Sequence, residues 1–180
     1  MEIVTERLFL RELIESDYEF FSTMETNELC LKYESDTIPS KEYIDKKFRD
    51  NLHDKYKSSR DRYRFMVVKL SSGELIGRII LWKIDDSINE WEIGWDVHPD
   101  YWGNGYAPEA TRAILKFAFT ELGVHRVQAL CNDANSSSEK VMIKSGMKKE
   151  GTIRGVRRLN NCWYGSHIYA LLESDFMSDN

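Results

Sequence analysis

The strongest constraint on the fold is the stretch 91–110, which reads WEIGWDVHPDYWGNGYAPEA. Apolar and polar residues alternate in its first part, as they do in a strand with one buried face. Pro99 ends that alternation, because proline has no amide hydrogen for a sheet ladder. After Gly103 and Gly105, apolar residues recur at three- and four-residue spacing, as they do on the buried face of a helix. Gly123 would end this helix. The stretch therefore predicts a strand, a tight turn and a helix.

The turn before this helix has the properties of a phosphate site. Backbone N–H groups at a helix N-terminus lack partners within the helix and lie at the positive end of its dipole. Glycines let a phosphate approach that backbone closely, although glycine pairs also occur at such turns without any ligand. Two phosphate motifs are excluded. The chain has no G-x-x-x-x-G-K-[ST], and Pro108 occupies the third glycine position of G-x-G-x-x-G.

Residues 102–107, WGNGYA, resemble the pyrophosphate loop [RQ]-x-x-G-x-[GA] of the GNAT superfamily of N-acetyltransferases. Residues 101–110 reproduce Y-W-G-x-G-Y-A-x-E-A, a pattern of the branch that includes the ribosomal-protein N-terminal acetyltransferases. Further stretches agree with this branch in order and spacing: TERLFLR at 5–11, NSSSEKV at 135–141 with KSGM at 144–147, and YALL at 169–172. The resemblance covers nearly the whole chain, and motifs in register make it specific.

The rest of the chain predicts one domain around this stretch. With 180 residues, 42% of them hydrophobic, the chain can bury one core and is too short for two. Helices are predicted after Asp17, Ser40 and Gly105 and up to about Ser145, and strands near 3–12, 63–70, 75–82, 91–97, 126–131, 147–154 and 163–172. The order strand, helix, strand across 91–131 implies a parallel pair. We predict an α/β, GNAT-like fold over 1–180: a mixed, mostly antiparallel sheet splayed at one parallel strand pair, with about four flanking helices.

Composition excludes several other classes of protein. The formal charge of -5 argues against a general nucleic-acid binder, and the sequence has no apolar run long enough for a membrane span. The cysteines are widely spaced without a C-x-x-C, which is typical of free thiols in a reducing cytoplasm: Cys30, Cys131 and Cys162. The histidines have no metal-ligand spacing. We expect a soluble cytoplasmic protein without a metal, and the sequence leaves monomer and homodimer open.

The resemblance implies acetyl-CoA as cosubstrate. It also implies the cofactor-binding residues, which lie on the predicted loop, the strand before it and a later helix: Val97, Trp102, Gly103, Asn104, Gly105, Tyr106, Ala107, Asn135 and Lys140. Trp102 and Asn104 stand where the family often has a basic residue or glutamine, so backbone amides would carry more of the phosphate binding. Asn135 matches a position that contacts the pantetheine arm, and Lys140 could reach a phosphate as a point charge.

Acetyl transfer from a thioester to an amine requires proton transfer. A primary amine is protonated at neutral pH, with a reference pKa of about 7.7–8.0 for an α-amine and about 10.4 for lysine. Glu92 is the candidate general base, because it lies on the predicted strand 91–97, near the expected position of the thioester. The alternative is a surface glutamate on an alternating strand. Backbone N–H groups near Val97 would hold the negative charge that develops on the acetyl oxygen.

Ser138 matches the position at which many family members carry a proton donor for the departing thiolate. The same segment has the spacing of a capping box, in which Ser136 and Glu139 satisfy backbone donors of the helix. We predict that Ser136 is the cap, which would leave Ser138 free.

The acceptor amine is the part of the function that the sequence identifies least. In the family, the segment corresponding to 32–60 commonly forms a wall of the acceptor site. The acid that often follows Trp163-Tyr164 in the family is Gly165 here, so if the family uses that acid on the acceptor amine, acceptor recognition in this chain differs. A protein N-terminal α-amine is the first candidate acceptor. The alternatives are a small amine, such as a polyamine or an aminoglycoside, and a non-catalytic acyl-CoA-binding module.

Overall fold

The computed structural model describes residues 1–54, 56–57 and 60–178. In these residues the elements follow in the order β1 (Glu2–Val4), β2 (Leu8–Glu12), α1 (Tyr18–Thr26), α2 (Glu28–Leu31), α3 (Lys41–Asp54), β3 (Arg62–Lys69), β4 (Leu75–Asp85), β5 (Glu90–Val97), α4 (Tyr106–Glu121), β6 (Arg126–Asn132), α5 (Ser136–Lys144), β7 (Lys148–Leu159), β8 (Cys162–Leu172) and α6 (Glu173–Ser178). Short 3-10 turns lie at Glu15–Asp17 and Pro99–Tyr101.

The strands form a single mixed sheet in the order β1-β2-β3-β4-β5-β6-β8-β7. Neighbouring strands are antiparallel except for β5 and β6, which run parallel. Within the described residues, this parallel pair is short and joins Glu90, Trp91 and Glu92 to Arg126, Val127 and Gln128. The remainder of β5, up to Val97, diverges from β6. The predicted fold class, with its splay at one parallel pair, is therefore confirmed.

Helices cover both faces of the sheet. On one face, Ile114 and Ala118 of α4 are fully buried against Trp91 and Ile93 of β5. Burying a side chain of the size of isoleucine stabilises the fold by roughly 1.5–3 kcal/mol. On the other face, α1 and α3 pack through a second cluster of buried side chains: Leu13, Phe21, Ile44, Phe48 and Met66. The sheet is thus covered on both faces, and the register of β5 is fixed by the alternation of its side chains.

Some predicted elements differ from the observed ones. The strand predicted at 3–12 is two strands, because the Thr5 hydroxyl accepts a hydrogen bond from Leu8 N at 3.0 Å and closes a turn between them. The short helices α2 and α6 were not predicted. The helix predicted after Ser40 is α3; its Ile44 and Phe48 are buried, whereas Tyr56 lies beyond the end of the helix and is exposed.

No helix in the described part of the chain combines the length and the apolar character needed to cross a membrane. Among the same residues, no group of three or more His, Cys, Asp or Glu side chains is arranged to hold a metal ion.

Candidate active site

A groove of about 550 Å³ runs along the open edge of β5, between α2 and the N-terminal ends of α4 and α5. This volume is in the usual range for small-molecule sites. Most of the cofactor-binding residues predicted from the sequence line it, together with Ser138: Val97, Trp102, Gly103, Gly105, Tyr106, Ala107, Asn135 and Lys140. Asn104 and Glu92 lie outside the set of lining residues.

The loop before α4 presents its backbone to the groove. Gly103 and Gly105 both have φ of +79°, a left-handed conformation that residues with a Cβ rarely adopt. Gly105 is the N-cap of α4 and has no side chain with which to cap it. The first N–H groups of α4 therefore remain available to an anion, with the positive end of the helix dipole behind them. This geometry fits a phosphate group.

Two side chains of the loop stabilise its shape. The indole Nε1 of Trp102 donates to the carbonyl oxygen of Val97 at 2.6 Å, which joins the loop to the end of β5. The amide of Asn104 donates to the carbonyls of Tyr101 and Trp102 at 3.1 Å. Its side chain thus serves the turn, which explains its position outside the groove lining.

Backbone groups at the end of β5 face the gap where β5 diverges from β6. His98 N donates to Ile76 O on β4 at 2.8 Å, and the preceding residue, Val97, is opposite Gly77. Hydrogen-bonded and non-bonded pairs alternate in an antiparallel ladder, so the Val97–Gly77 pair is of the non-bonded kind. The N–H and C=O of Val97 therefore point away from β4; the C=O accepts from Trp102 Nε1, and the N–H faces the groove. Trp95 is two residues before Val97 in the same ladder, so its N–H and C=O also point away from β4.

Glu92 lies on the face of β5 opposite Trp91 and Ile93 and is the last residue of β5 that pairs with β6. Its Oε2 accepts a hydrogen bond from Gln128 Nε2 at 2.9 Å. Burial raises the pKa of the Glu92 carboxyl, and this effect exceeds the opposing effects of the Gln128 hydrogen bond and the Arg157 charge. A carboxylate with a raised pKa is a better proton acceptor than an ordinary exposed glutamate.

The predicted cap of α5 is wrong by one residue. Asn135 is the N-cap, and its Oδ1 accepts from Ser138 N at 3.1 Å. Its Nδ2 lies 3.1 Å from Ser138 Oγ, so the Ser138 hydroxyl is hydrogen-bonded. Asparagine is as good an N-cap as serine, and it precedes the first helical residue, Ser136. Glu139 instead accepts hydrogen bonds from Lys149 and Tyr169, at 2.8 and 2.7 Å.

The far end of the groove is formed by residues that the sequence did not single out. Leu29 and Cys30 of α2 lie there with Trp95 and Asp96 of β5. Asp96 accepts from Arg78 Nε at 2.8 Å. Burial, and next the Asp96 charge, raises the pKa of the Cys30 thiol to about 11. The sequence did contain a signal for Asp96, because its spacing places it on the same face of β5 as Glu92 and Gly94.

The segment predicted to form the acceptor wall, 32–60, contributes Lys32 and Tyr33 to the groove. The loop that follows is tied to the sheet edge. Arg157 Nη1 donates to Glu34 Oε2 at 2.8 Å, and Asn160 N donates to Asp36 Oδ2 at the same distance. This loop therefore packs across the sheet against β7 and the turn after it, while α3 packs on the sheet.

The structure explains the glycine after Trp163-Tyr164. Gly165 N donates to Asp133 Oδ2 at 2.8 Å, and a Cβ at Gly165 would lie 2.5 Å from that oxygen. A residue with a side chain does not fit there without a shift. The carboxylate of Asp133 thus occupies space beside position 165, where the family often has an acid.

Comparison with known proteins agrees with this geometry. A family profile described as acetyltransferase (GNAT) domain matches residues 7–148. The uncharacterized N-acetyltransferase YnaD of Bacillus subtilis is 31% identical over 180 residues, which cover 98% of this chain and 99% of YnaD.

Two solved structures are similar over almost the whole chain. Spermidine N-acetyltransferase of Vibrio cholerae, in complex with CoA and spermine, has a TM-score of 0.83 and 21% identity, and the match covers 96% of this chain and 99% of that one. Ribosomal-protein-S5-alanine acetyltransferase of Vibrio fischeri has a TM-score of 0.82 and 18% identity, with 97% and 98% covered. At these identities the likeness shows the fold. The family profile and the relative show more: the chain belongs to the GNAT family and is an N-acetyltransferase that uses acetyl-CoA.

Proposed function

We propose that this enzyme acetylates a primary amine that enters at the Cys30–Asp96 end of the groove, and that a protein N-terminal α-amine is the first candidate. The observation that carries the proposal is the continuity of the groove from the N-terminus of α4 to Cys30 and Asp96. The acceptor class rests on residues 101–110, which follow the pattern of the ribosomal-protein branch.

In this proposal, the chain's own groups divide the work along the groove. Open N–H groups at the start of α4 bind the pyrophosphate, and Lys140 adds a positive charge to the same region. The N–H of Val97 holds the negative charge that develops on the acetyl oxygen. Acetyl-CoA, when bound, supplies the acetyl thioester.

Proton transfer is assigned to two side chains. Glu92 takes the proton of the attacking amine, directly or through a water molecule, because its carboxylate has a raised pKa at the point where the sheet opens. Ser138 lines the groove and can donate its hydroxyl proton to the departing thiolate, while Asn135 orients that hydroxyl.

A small cationic amine, such as a polyamine, is the second candidate acceptor. Asp96 lines the groove and carries a carboxylate that could attract an ammonium group. Arg78 already pairs with that carboxylate, which weakens the attraction. The fold does not separate the two classes, since a spermidine enzyme and a ribosomal-protein enzyme match it equally well.

The test is thiol release from acetyl-CoA with N-terminal peptides, polyamines and aminoglycosides, for the wild type and for Glu92→Gln. We expect turnover with one acceptor class, and a loss of roughly 10²–10⁴-fold in kcat for the variant, with nearly unchanged affinity for acetyl-CoA. Unchanged turnover would remove Glu92 from the mechanism. Tight cofactor binding without turnover on any amine would favour the binding-module alternative.

We also propose that the chain forms one acetyltransferase domain over 1–180 and acts in the cytoplasm, as a monomer or a homodimer. The continuous sheet supports a single domain. The free thiols support a reducing compartment, since Cys30, Cys131 and Cys162 form no disulfide in the described part of the chain.

A further inference from the structure

Two sequence motifs that are far apart in the chain meet at the phosphate loop. Residues 5–7 form the turn between β1 and β2, and Glu109 lies in the first turn of α4. Thr5 Oγ1 donates to Glu109 Oε1 at 2.6 Å, and Arg7 N donates to the same oxygen at 2.9 Å. Arg7 Nε donates to Glu109 Oε2 at 2.6 Å. Both carboxylate oxygens of Glu109 are therefore held by this turn.

Glu109 presents an electrostatic problem at this position. A carboxylate in the first turn of a helix interacts favourably with the helix dipole, as a bound phosphate also would. An uncompensated negative charge there would repel the pyrophosphate. The side chain of Glu109 is only 11% exposed, so solvent screens it little. Burial opposes its charged form, but the hydrogen bonds from Thr5 and Arg7 outweigh burial and lower its pKa. Glu109 is thus charged, and its neighbours must neutralise it.

Arg7 also contacts the loop itself. Its Nη1 donates to Asn104 O at 2.9 Å, and its guanidinium lies 4.8 Å from the centre of the Tyr106 ring. A Cβ at Gly105 would be 3.5 Å from Arg7 Nη2. One arginine from the N-terminal turn therefore contacts Asn104 and Tyr106 and lies beside Gly105 between them. The loop has no basic residue of its own, since Trp102 and Asn104 stand at the positions where the family often has one.

We propose that Arg7 is a positioning residue for the pyrophosphate site, which neutralises Glu109 and fixes the loop through Asn104 and Tyr106. The proposal rests on the proposed function, because it takes the loop 102–107 to bind the pyrophosphate. It assigns the N-terminal turn to cofactor binding, although the turn does not line the groove.

The experiment is a double-mutant cycle of Arg7→Gln, Glu109→Gln and the double variant. CoA affinity is measured by titration calorimetry, and kcat/KM is measured with acetyl-CoA and with S-acetylpantetheine, which lacks the pyrophosphate. We expect Arg7→Gln to weaken CoA binding roughly tenfold, as loss of a charge-assisted contact does. The kcat/KM with S-acetylpantetheine should decrease much less than the kcat/KM with acetyl-CoA. The double variant should regain most of the CoA affinity, because the uncompensated charge is gone.

Lys116→Gln is the matched control, since it removes the same charge from an exposed position farther along α4. If Arg7→Gln does not fold, Arg7→Lys keeps the charge while losing the forked contact and should weaken CoA binding less than threefold. The proposal is overturned by unchanged CoA affinity in Arg7→Gln, by equal losses with both acetyl donors, or by a double variant no better than Arg7→Gln. Absence of CoA binding in the wild type would instead overturn the proposed function itself.

Discussion

At the scale of single residues, the proposed role of Glu92 as general base links the pH dependence of the enzyme to the pKa of its carboxyl. Its carboxyl pKa is raised from the ordinary 4.5, chiefly by burial. A general base acts only when deprotonated, so kcat should fall as the pH decreases through this raised pKa. The acid limb of the pH–rate profile should therefore lie above the value for an exposed glutamate.

Arg157 gives a direct test of this assignment. Its charge lowers the pKa of Glu92, so Arg157→Gln should shift the acid limb of kcat to higher pH. Arg158→Gln is the matched control. It is the next residue of β7, and its side chain contacts Asn161 and the Trp163 ring instead. An acid limb that does not move in Arg157→Gln would show that another group limits the rate. Because Arg157 also pairs with Glu34, the KM for the acceptor should be recorded in the same series.

Residue patterns indicate the glycine loop before α4 more clearly than they indicate the far end of the groove. Gly103 and Gly105 can be identified from the sequence because their proposed function depends on backbone conformation next to a helix start, which is local. Asp96 and Cys30 become neighbours only when α2 packs against β5, so no spacing along the chain indicates that the two meet. The N-cap of α5 shows a second limit of prediction from the sequence. Asn135 and Ser136 are both good caps, and only the observed helix start chooses between them.

At the scale of elements, the contact between β4 and β5 should be sensitive to one methyl group. A Cβ at Gly77 would lie 2.5 Å from the backbone oxygen of Asp96 and 3.1 Å from Val97 Cα. Neither atom can rotate away. Gly77→Ala should therefore push the end of β5 outward and lower the free energy of unfolding by about 1–3 kcal/mol. The affinity for CoA should fall as well, because Val97 moves.

Gly151→Ala is a suitable control for this prediction. Gly151 is also a strand glycine with an ordinary φ, and nothing lies within 4 Å of the position that its Cβ would take. It should leave chemical unfolding and CoA titration close to the wild type. Equal behaviour of the two variants would mean that the close approach of β4 to β5 does not position Val97.

Long elements were predicted and short ones were not. α4 and β5 are long enough for a period to be recognised, and tertiary packing reinforces it. α2 has four residues and depends on the Asn27 side chain, which accepts from Leu29 N and Cys30 N. A single cap without a periodic segment after it is too weak a signal. The break between β1 and β2 likewise depends on one hydroxyl, that of Thr5.

At the scale of the whole molecule, a buried ionic group joins α1 and α3 to the sheet. Glu25 is 4% exposed and accepts from Lys47 Nζ at 2.8 Å and from Arg78 Nη1 at 2.5 Å. Burial opposes its charged form, but the charges and hydrogen bonds of Arg78 and Lys47 outweigh this and lower its pKa. Asp96 extends the group to the groove through Arg78.

This group should make stability depend on pH in the acid range. A carboxyl with a lowered folded-state pKa contributes stability that is present above its unfolded pKa and lost as the pH falls through the folded one. The free energy of unfolding should thus decrease between about pH 5 and about pH 3. Glu25→Gln should be less stable at neutral pH and show a shallower decrease, measured by urea unfolding at each pH. Glu19→Gln, an exposed change on the same helix, should keep the wild-type slope.

The short parallel pairing of β5 with β6 has a further consequence. On one side of it stands the ladder β1–β5 and on the other β6–β8, and in the described structure the two are joined along β5 only from Glu90 to Glu92. The sheet thus consists of two ladders that share one short pairing, and in the proposed function the thioester arm lies in the gap between them. Bound acetyl-CoA would bridge the two ladders there. We therefore predict that the sheet becomes more rigid when acetyl-CoA binds and more flexible when CoA leaves.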